Sequence, residues 1–274
     1  MSQWIALTPG ASPIHALMTP GEALTYKGPM TQETHIPLAD WLAEAPFTLV
    51  LSAGFFGFYA HSGLLAALTD AGLAPTRVAG ASAGALVGGL WAGGQAPGEI
   101  SSGLLGIKRE DFWDPAPGAG LLRGRKFQRI LEGYIGRQDV GALRVPTALS
   151  VYDVVKRRAV APPRGDLATL IRASCAVPVM FHPVWMRGRP YVDGGVADRH
   201  GFAGVTDGER VFYHHLAARS PWRKTDSPGL AVPKRANMRA LVIDDLPRVH
   251  PFAMARGQAA YDHAYKAMTA ELTA

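Results

Sequence analysis

The sequence predicts a single α/β domain of three layers, in which helices flank a mainly parallel central sheet. Between residues 47 and 92, a short apolar strand, a glycine-containing turn and a helix follow one another twice in succession. The later part of the chain continues to alternate strands and helices, and this rhythm is typical of a parallel sheet covered by helices. Size agrees, because 274 residues with 48% hydrophobic composition can bury one large core.

The individual elements follow from the spacing of apolar residues and from the glycines that end helices. In the first helix Leu64, Leu65 and Leu68 recur at helical spacing, and Gly72 ends the pattern. In chain order the sequence predicts strands over 47–51, 76–79, 145–151, 191–192, 210–216 and 239–243, and helices over 58–71, 82–92, 127–135, 167–174 and 252–272.

The chain divides into an arm and one domain. Residues 1–45 are rich in Pro, Gly and Thr and are expected to form an N-terminal arm with a short helix near residues 38–45. Residues 46–274 are expected to form the α/β domain, with a surface loop over 217–238. Two uncharged stretches, 46–69 and 78–98, are long enough to cross a membrane. Their glycines and the change from strand to helix pattern favour a buried strand and helix instead.

Charge and cysteine content narrow the function classes. The formal net charge is +6, but the basic residues are scattered, and neither zinc-finger spacing nor an RNA-binding aromatic signature is present, so we expect no nucleic-acid partner. The basic clusters suit anionic lipid head groups. Cys175 is the only cysteine, which excludes an internal disulfide and fits a reducing compartment. The N-terminus lacks the pattern of a signal peptide, so we expect a cytoplasmic protein.

The stretch VAGASAGAL places one serine, Ser82, between two glycines where a strand gives way to a helix. A nucleophile elbow needs small residues two positions before and two positions after its serine, and Gly80 and Gly84 meet that need. The N-terminus of the following helix would place unpaired N–H groups and a positive dipole beside the serine. The alternative is that these small residues only allow close packing.

Two further turns could complete such a site. The turn SAGFFG at 52–57 follows the first strand, and its backbone N–H groups could stabilise an oxyanion, although glycines also serve simple tight connections. Asp193 lies at the end of a short strand and is followed by Gly194 and Gly195. Its carboxylate could accept the serine proton, or the segment could be an ordinary turn.

A histidine base also stays open at this point. In α/β-hydrolases the order along the chain is serine, acid, histidine. Histidines that follow Asp193, and so satisfy this order, are His200, His214, His215, His250 and His263.

These motifs, taken together, resemble those of the patatin-like phospholipases. That family carries a glycine-rich oxyanion turn, then G-x-S-x-G, then D-G-G or D-G-A, and this chain has SAGFFG, GASAG and DGG in the same order. The segment IRASCAVPVMFHPV, residues 171–184, resembles the family's block before the aspartate. The resemblance covers roughly residues 47–200. The run GFFGFY is similar to the turn of the animal adiponutrin and triglyceride-lipase branch.

The resemblance implies a serine–aspartate dyad without histidine. Ser82 would attack an ester carbonyl, Asp193 would accept its proton, and backbone N–H groups of Gly54, Phe55 and Phe56 would hold the oxyanion. The motif glycines of the three segments are Gly57, Gly80, Gly84, Gly194 and Gly195.

The oxyanion turn departs from the family pattern. Phe55 and Phe56 replace small residues, and Gly57 stands where the family often has a basic residue. A bulky residue adopts a positive φ with difficulty, so the geometry of the turn is an open question. The two phenylalanines could line an acyl-chain pocket or pack into the core.

The expected function is hydrolysis of lipid carboxylic esters, of the phospholipase or esterase type, through a covalent acyl-enzyme. The expected substrate is a phospholipid or another acyl-ester lipid, reached by peripheral membrane association that exposed side chains such as Trp113 or Trp185 assist. No metal and no cofactor are expected, because no cluster of carboxylates or histidines has ligand spacing. The alternatives are a Ser-His-Asp esterase and a lipid-binding protein that retains the fold without turnover.

Overall fold

A mostly parallel sheet forms the middle layer of the structure, a computed structural model that describes residues 36–217 and 228–274. The strands of the described residues, in chain order, are β1 Thr48–Leu51, β2 Arg77–Ala81, β3 Gly120–Leu122, β4 Thr147–Asp153, β5 Arg158–Val160, β6 Val179–Phe181, β7 Val184–Met186, β8 Arg189–Asp193, β9 Val211–His215 and β10 Met238–Val242. Its helices are α1 Leu38–Glu44, α2 Phe58–Asp70, α3 Ala83–Ala92, α4 Pro97–Gly106, α5 Arg109–Phe112, α6 Arg125–Ile135, α7 Leu167–Ser174 and α8 Gly257–Thr273.

The order of strands across the sheet is β10-β9-β1-β2-β4-β8-β7. From β10 to β4 every neighbouring pair is parallel, whereas β8 and β7 are added antiparallel beyond β4, and β5 forms a further antiparallel pair with β4. β3 and β6 form a separate two-stranded parallel sheet. The carboxyl ends of β1, β2 and β9 therefore meet at one edge, which is where α/β sheets place their sites.

Both faces of the central strands are buried, which is why their sequences are continuously apolar rather than alternating. One face carries the main core, where Leu49, Leu51 and Val78 pack with side chains of α2, α3 and α7. The opposite face packs Val50 and Ala79 beneath the segment that follows β8. The predicted fold class, an α/β domain with a mainly parallel sheet in three layers, is confirmed.

The predicted strands and helices up to residue 243 are present, with ends shifted by a few residues. The C-terminal helix begins at Gly257 rather than at residue 252, because a turn closed by the Ala253 N–H and the His250 carbonyl precedes it, followed by a 3₁₀ turn over Met254–Arg256. Part of the predicted surface loop, 218–227, lies outside the described residues, as does most of the predicted N-terminal arm.

The short helix expected near residues 38–45 is present as α1, and it belongs to the compact unit that runs from Ile36 to Ala274. The guanidinium of Arg210 lies 4.0 Å from the centre of the Trp41 ring and also bonds Glu44, which fastens α1 to the start of β9. Within the described part of the chain, no helix combines the length and apolar character that a membrane span requires.

Candidate active site

Ser82 lies alone between β2 and α3, in a strained backbone conformation. Its φ is +52° and its ψ is −116°, a combination that L-residues rarely adopt. Such strain persists only where the surrounding structure enforces it, and it is typical of functional sites. The sharp turn lifts the serine out of the strand and directs the N-terminus of α3 towards it, as a nucleophile elbow does.

The glycines on either side of Ser82 are required by close backbone contacts. A Cβ atom on Gly80 would lie 2.7 Å from the carbonyl carbon of Gly84, and a Cβ atom on Gly84 would collide with the carbonyl oxygen of Leu51. Any side chain at these positions would push α3 away from β1 and β2. The two glycines therefore do allow the close packing that the sequence suggested, and this packing brings α3 against β1 and β2 where Ser82 stands.

The sheet register brings Asp193 to Ser82 although 111 positions separate them in the chain. Ala81, at the end of β2, pairs with Ser150 of β4, and the next residue of β4, Val151, pairs with Asp193 at the end of β8. The Ser82 hydroxyl donates a hydrogen bond of 2.6 Å to Oδ2 of Asp193. The two side chains that the sequence paired therefore do meet, and Asp193 is only 5% exposed.

The glycines after Asp193 fix the carboxylate in place. The Gly195 N–H donates to Oδ1 of Asp193 at 2.7 Å, which leaves Oδ2 directed towards the serine. A Cβ atom on Gly194 would collide with the Ser150 carbonyl, and one on Gly195 would lie 2.8 Å from Cβ of Ala53. This turn is therefore packed directly against the start of the 52–57 turn.

The 52–57 turn is a β-turn closed by a 2.9 Å hydrogen bond from the Gly57 N–H to the Gly54 carbonyl. Phe56 adopts a φ of +56°, so this bulky residue does enter the positive-φ region that such residues adopt with difficulty. Within residues 36–217 and 228–274, the N–H groups of Gly54, Phe55 and Phe56 have no hydrogen-bond acceptor. Three backbone donors are thus free on a turn that lines the same cavity as Ser82.

Gly54 and Gly57 allow this turn to pack closely against Leu216. A Cβ atom on Gly54 would lie 2.5 Å from Cδ1 of Leu216, and one on Gly57 would collide with the same atom. The Leu216 N–H in turn donates to the Ser52 hydroxyl at 2.9 Å. Leu216, the residue that follows β9, therefore also holds this turn in place.

Two buried histidines support the same turn from beneath. His61 donates from Nε2 to the Ser52 carbonyl at 2.8 Å, and its Nδ1 lies 2.9 Å from Nδ1 of His214. Because the carbonyl can only accept, His61 carries its proton on Nε2, and Nδ1 accepts from the Nδ1–H of His214. Burial lowers the pKa of His61 to about 4 and that of His214 well below its usual value. Both rings are therefore neutral near pH 7.

Two residues that the sequence did not indicate as part of the site, Ser174 and Cys175, hold the backbone of Ser82. The Ser82 N–H donates to Oγ of Ser174 at 2.9 Å, and the Ser174 hydroxyl donates to the Ser150 carbonyl at 2.6 Å. The thiol of Cys175 donates to the Ser82 carbonyl at 3.3 Å. Both residues lie in the segment 171–184, whose sequence resembled the family's block before the aspartate.

Ser82 opens onto an apolar cavity of about 100 Å³. Phe55 is 47% exposed at its mouth, whereas Phe56 is partly buried and contacts Phe58 and Phe112 with ring centres 5.4 and 6.4 Å away. The sequence left open whether Phe55 and Phe56 line an acyl-chain pocket or pack into the core. Both residues line this cavity, and Phe56 also packs against the main core. The cavity can accept an apolar chain next to the serine.

The histidines that could have completed a triad have other partners. Ser82 receives no hydrogen bond from a histidine within the described residues, and its hydroxyl is directed at Asp193. His200 and His215 both bond the Tyr213 hydroxyl, at 2.9 and 2.7 Å. His214 pairs with His61, His250 accepts from the Phe252 N–H, and His263 is exposed on α8.

Comparison with known proteins gives a family match over the same region. A sequence model described as patatin-like phospholipase matches residues 49–205. An uncharacterized NTE family protein of Mycobacterium tuberculosis (strain H37Rv) is 32% identical over 154 residues, which cover 55% of this chain and 42% of that protein. A second from that strain is 28% identical over 184 residues, covering 64% and 31%. The chain thus spans less than half the length of these relatives.

Among solved structures, the crystal structure of VipD from Legionella pneumophila is similar, with a TM-score of 0.49 and 16% identity. The superposition covers 82% of this chain and 67% of VipD.

Proposed function

The chain belongs to the patatin-like phospholipase family, and from this premise we propose that it hydrolyses carboxylic esters of lipids through a Ser82–Asp193 dyad. The observation that carries the proposal is the 2.6 Å hydrogen bond from the Ser82 hydroxyl to Asp193, beside an apolar cavity and a turn with free N–H groups. The substrate is a phospholipid or another acyl-ester lipid.

In the first step Oγ of Ser82 attacks the ester carbonyl while its proton passes to Oδ2 of Asp193. A carboxylate is a weak base towards a hydroxyl, so Asp193 has to be held within hydrogen-bonding distance of Ser82 for the proton to pass. The low exposure of Asp193 supports this role, because a short hydrogen bond is stronger where water is excluded. The bond between Gly195 and Oδ1 keeps the other oxygen directed at the serine.

The negative charge that develops on the carbonyl oxygen needs donors that are already in position. We assign this role to the N–H groups of Gly54, Phe55 and Phe56. The Ser82 N–H is not among the donors, because it bonds Ser174. The N-terminus of α3 adds a favourable dipole at the same point.

The tetrahedral intermediate collapses when the proton on Asp193 passes to the leaving alcohol, which departs and leaves an acyl group on Ser82. Water then attacks the acyl-enzyme, and Asp193 accepts a proton from the water. The proton returns to Oγ as the second intermediate collapses. The products are a free fatty acid, the alcohol part of the lipid and the unchanged enzyme.

Peripheral binding to a lipid surface would supply the substrate. Phe55, Val179 and Phe252 are exposed apolar residues. Phe55 lines the cavity at Ser82, Val179 adjoins a residue that lines it, and Phe252 lines a neighbouring groove that shares Met254 with that cavity. The formal net charge of +6 favours an anionic surface. Of the two tryptophans expected to be exposed, Trp185 is 68% exposed, whereas Trp113 is partly buried beside Arg109. A cytoplasmic location remains part of this proposal.

The test is hydrolysis of p-nitrophenyl butyrate by the wild type, Ser82→Ala and Asp193→Asn. We expect both variants to lose at least 10³-fold in kcat/KM, the scale seen when a unit of this kind is broken. Alanine variants of His200, His215 and His250 serve as controls and should retain activity. Activity in either dyad variant would remove that residue from the mechanism, and no activity in the wild type would favour a lipid-binding protein.

A further inference from the structure

The cavity beside Ser82 is small for a lipid acyl chain. It measures about 100 Å³. A cavity of about 150 Å³ holds a benzene molecule, with six carbon atoms. By the same proportion, the space beside the nucleophile holds a chain of about four carbon atoms.

Part of the wall of this cavity is formed by residues of the main core. Leu86 lies one helical turn after Ser82 on α3, and Leu104 lies on α4, and both are almost fully buried. Phe127 of α6 also lines the cavity and packs against the main core. A longer chain therefore cannot go deeper without displacing side chains of the main core, which interiors at crystal-like packing density resist.

A much larger space lies beside the cavity, separated from it by two isoleucines. A groove of about 800 Å³ runs between α4, α5 and α6, with Gly103, Lys126 and Tyr134 among its walls. Ile107, directly after α4, and Ile130, on α6, line both the groove and the cavity at Ser82. These two side chains, which we call the partition, are half-buried and form a wall of both spaces.

We propose that the partition formed by Ile107 and Ile130 sets the acyl-chain length of the substrate. The proposal rests on the proposed function, and it narrows the preferred substrates to acyl-ester lipids whose acyl chain has about four carbons, the number that the cavity holds. Removal of one isoleucine side chain joins the cavity to the groove. The acyl chain can then continue past the partition, and longer esters become good substrates.

The experiment compares kcat/KM for p-nitrophenyl butyrate and p-nitrophenyl decanoate. The quantity of interest is the ratio of decanoate to butyrate, and each variant is compared with the wild type so that differences between the two substrates cancel. The variants are Ile130→Ala and, as matched control, Leu131→Ala. Leu131 is the next residue of the same helix and is buried in the main core without lining the cavity. Circular dichroism checks that both remain folded.

We expect the wild type to prefer butyrate by tenfold or more. We expect Ile130→Ala to raise the decanoate-to-butyrate ratio at least tenfold, whereas Leu131→Ala leaves the ratio unchanged. Ile130→Phe, which adds volume at the same wall, should lower butyrate turnover relative to p-nitrophenyl acetate, and it keeps the test open if the alanine variant does not fold.

Three results would overturn the proposal. A wild type that prefers decanoate contradicts the size argument, and equal ratios in Ile130→Ala and Leu131→Ala contradict the role of the partition. Both of these leave the proposed function intact, because they require an active enzyme. A wild type that hydrolyses none of these esters removes the proposed function and this inference together.

Discussion

Ser174 holds the backbone of Ser82, the residue that we propose as the nucleophile. Its hydroxyl accepts from the Ser82 N–H and donates to the Ser150 carbonyl, so one side chain connects the elbow to β4. The positive φ of Ser82 is unfavourable in isolation, and such bonds are what maintain it.

We expect Ser174→Ala to lower kcat by about tenfold, because a lost hydrogen bond to a buried N–H costs about 1–3 kcal/mol and loosens the serine. KM should change little, since Ser174 does not line the acyl cavity. Ser62→Ala is the matched control, because Ser62 is an equally buried serine that donates to the Tyr59 carbonyl within α2. Steady-state kinetics of the two variants measure kcat and KM, and equal losses of kcat would contradict a positioning role for Ser174.

His61 makes stability depend on pH. Its pKa falls from 6.5 in the unfolded chain to about 4 in the fold, mainly because of burial. The unfolded chain therefore binds more protons between these values, and folding stability is complete above pH 6.5 and falls as the pH decreases towards 4.

As the pH falls from about 7 to about 4.5, we expect the titration of His61 to lower the free energy of unfolding by roughly 2–3 kcal/mol. His61→Gln keeps a donor for the Ser52 carbonyl but does not titrate, so its stability should fall less over this range. The control is His263→Gln, which removes an exposed imidazole on α8. Urea unfolding at both pH values measures the difference. An equally steep fall in wild type and His61→Gln would contradict a neutral buried pair.

At the scale of elements, the site depends on how closely α3 approaches β1. Gly84 is the point of contact, because a Cβ atom there would collide with the Leu51 carbonyl oxygen. A backbone atom of a central strand cannot move aside as the tip of a flexible side chain can.

We expect Gly84→Ala to lower the free energy of unfolding by about 2 kcal/mol or more, as overpacking does, and to abolish activity by displacing Ser82. Gly133→Ala is the control, because an added Cβ in this exposed position of α6 meets nothing within 4 Å. There the substitution should raise stability by about 0.5–1 kcal/mol. Denaturant unfolding of both variants provides the measurement, and a neutral Gly84→Ala would contradict the contact.

The individual strands and helices differ in how well the sequence predicts them. The units over 47–71 and 76–92 were predictable because an apolar strand, a glycine turn and a helix leave local patterns. The short β3, β5, β6 and β7 were not, because three-residue strands show no periodicity. The helices α4 and α5 were not predicted either, because α4 contains three glycines and a proline and α5 has only four residues. The pairing of Ser82 with Asp193 came from a family motif. The contacts of Ser174 and of the His61–His214 pair depend on sheet register, which no local pattern records.

At the scale of the whole molecule, the charge and the exposed apolar residues fit binding to an anionic lipid surface. Val179 is 81% exposed and adjoins Met180, which lines the cavity at Ser82. Val155 is 63% exposed in the turn between β4 and β5 and does not line that cavity.

We expect the protein to sediment with vesicles of anionic phospholipid and to be released as salt is raised, because screening weakens attraction between exposed charges. Val179→Ser should weaken binding by about tenfold, since burying a valine side chain contributes about 1.5 kcal/mol or more. Val155→Ser, the same change at an exposed valine that does not adjoin the cavity, should bind like the wild type. Equal affinities in the two variants would exclude this face from the contact.

The central claim is that Ser82 is the activated nucleophile of this fold, and covalent labelling with a fluorophosphonate tests it most directly. Intact-protein mass spectrometry after incubation should show one adduct per chain in the wild type, located by peptide mapping on Ser82. The adduct should be absent in Ser82→Ala and form far more slowly in Asp193→Asn. An adduct on another residue, or undiminished labelling of Ser82→Ala, would contradict the account.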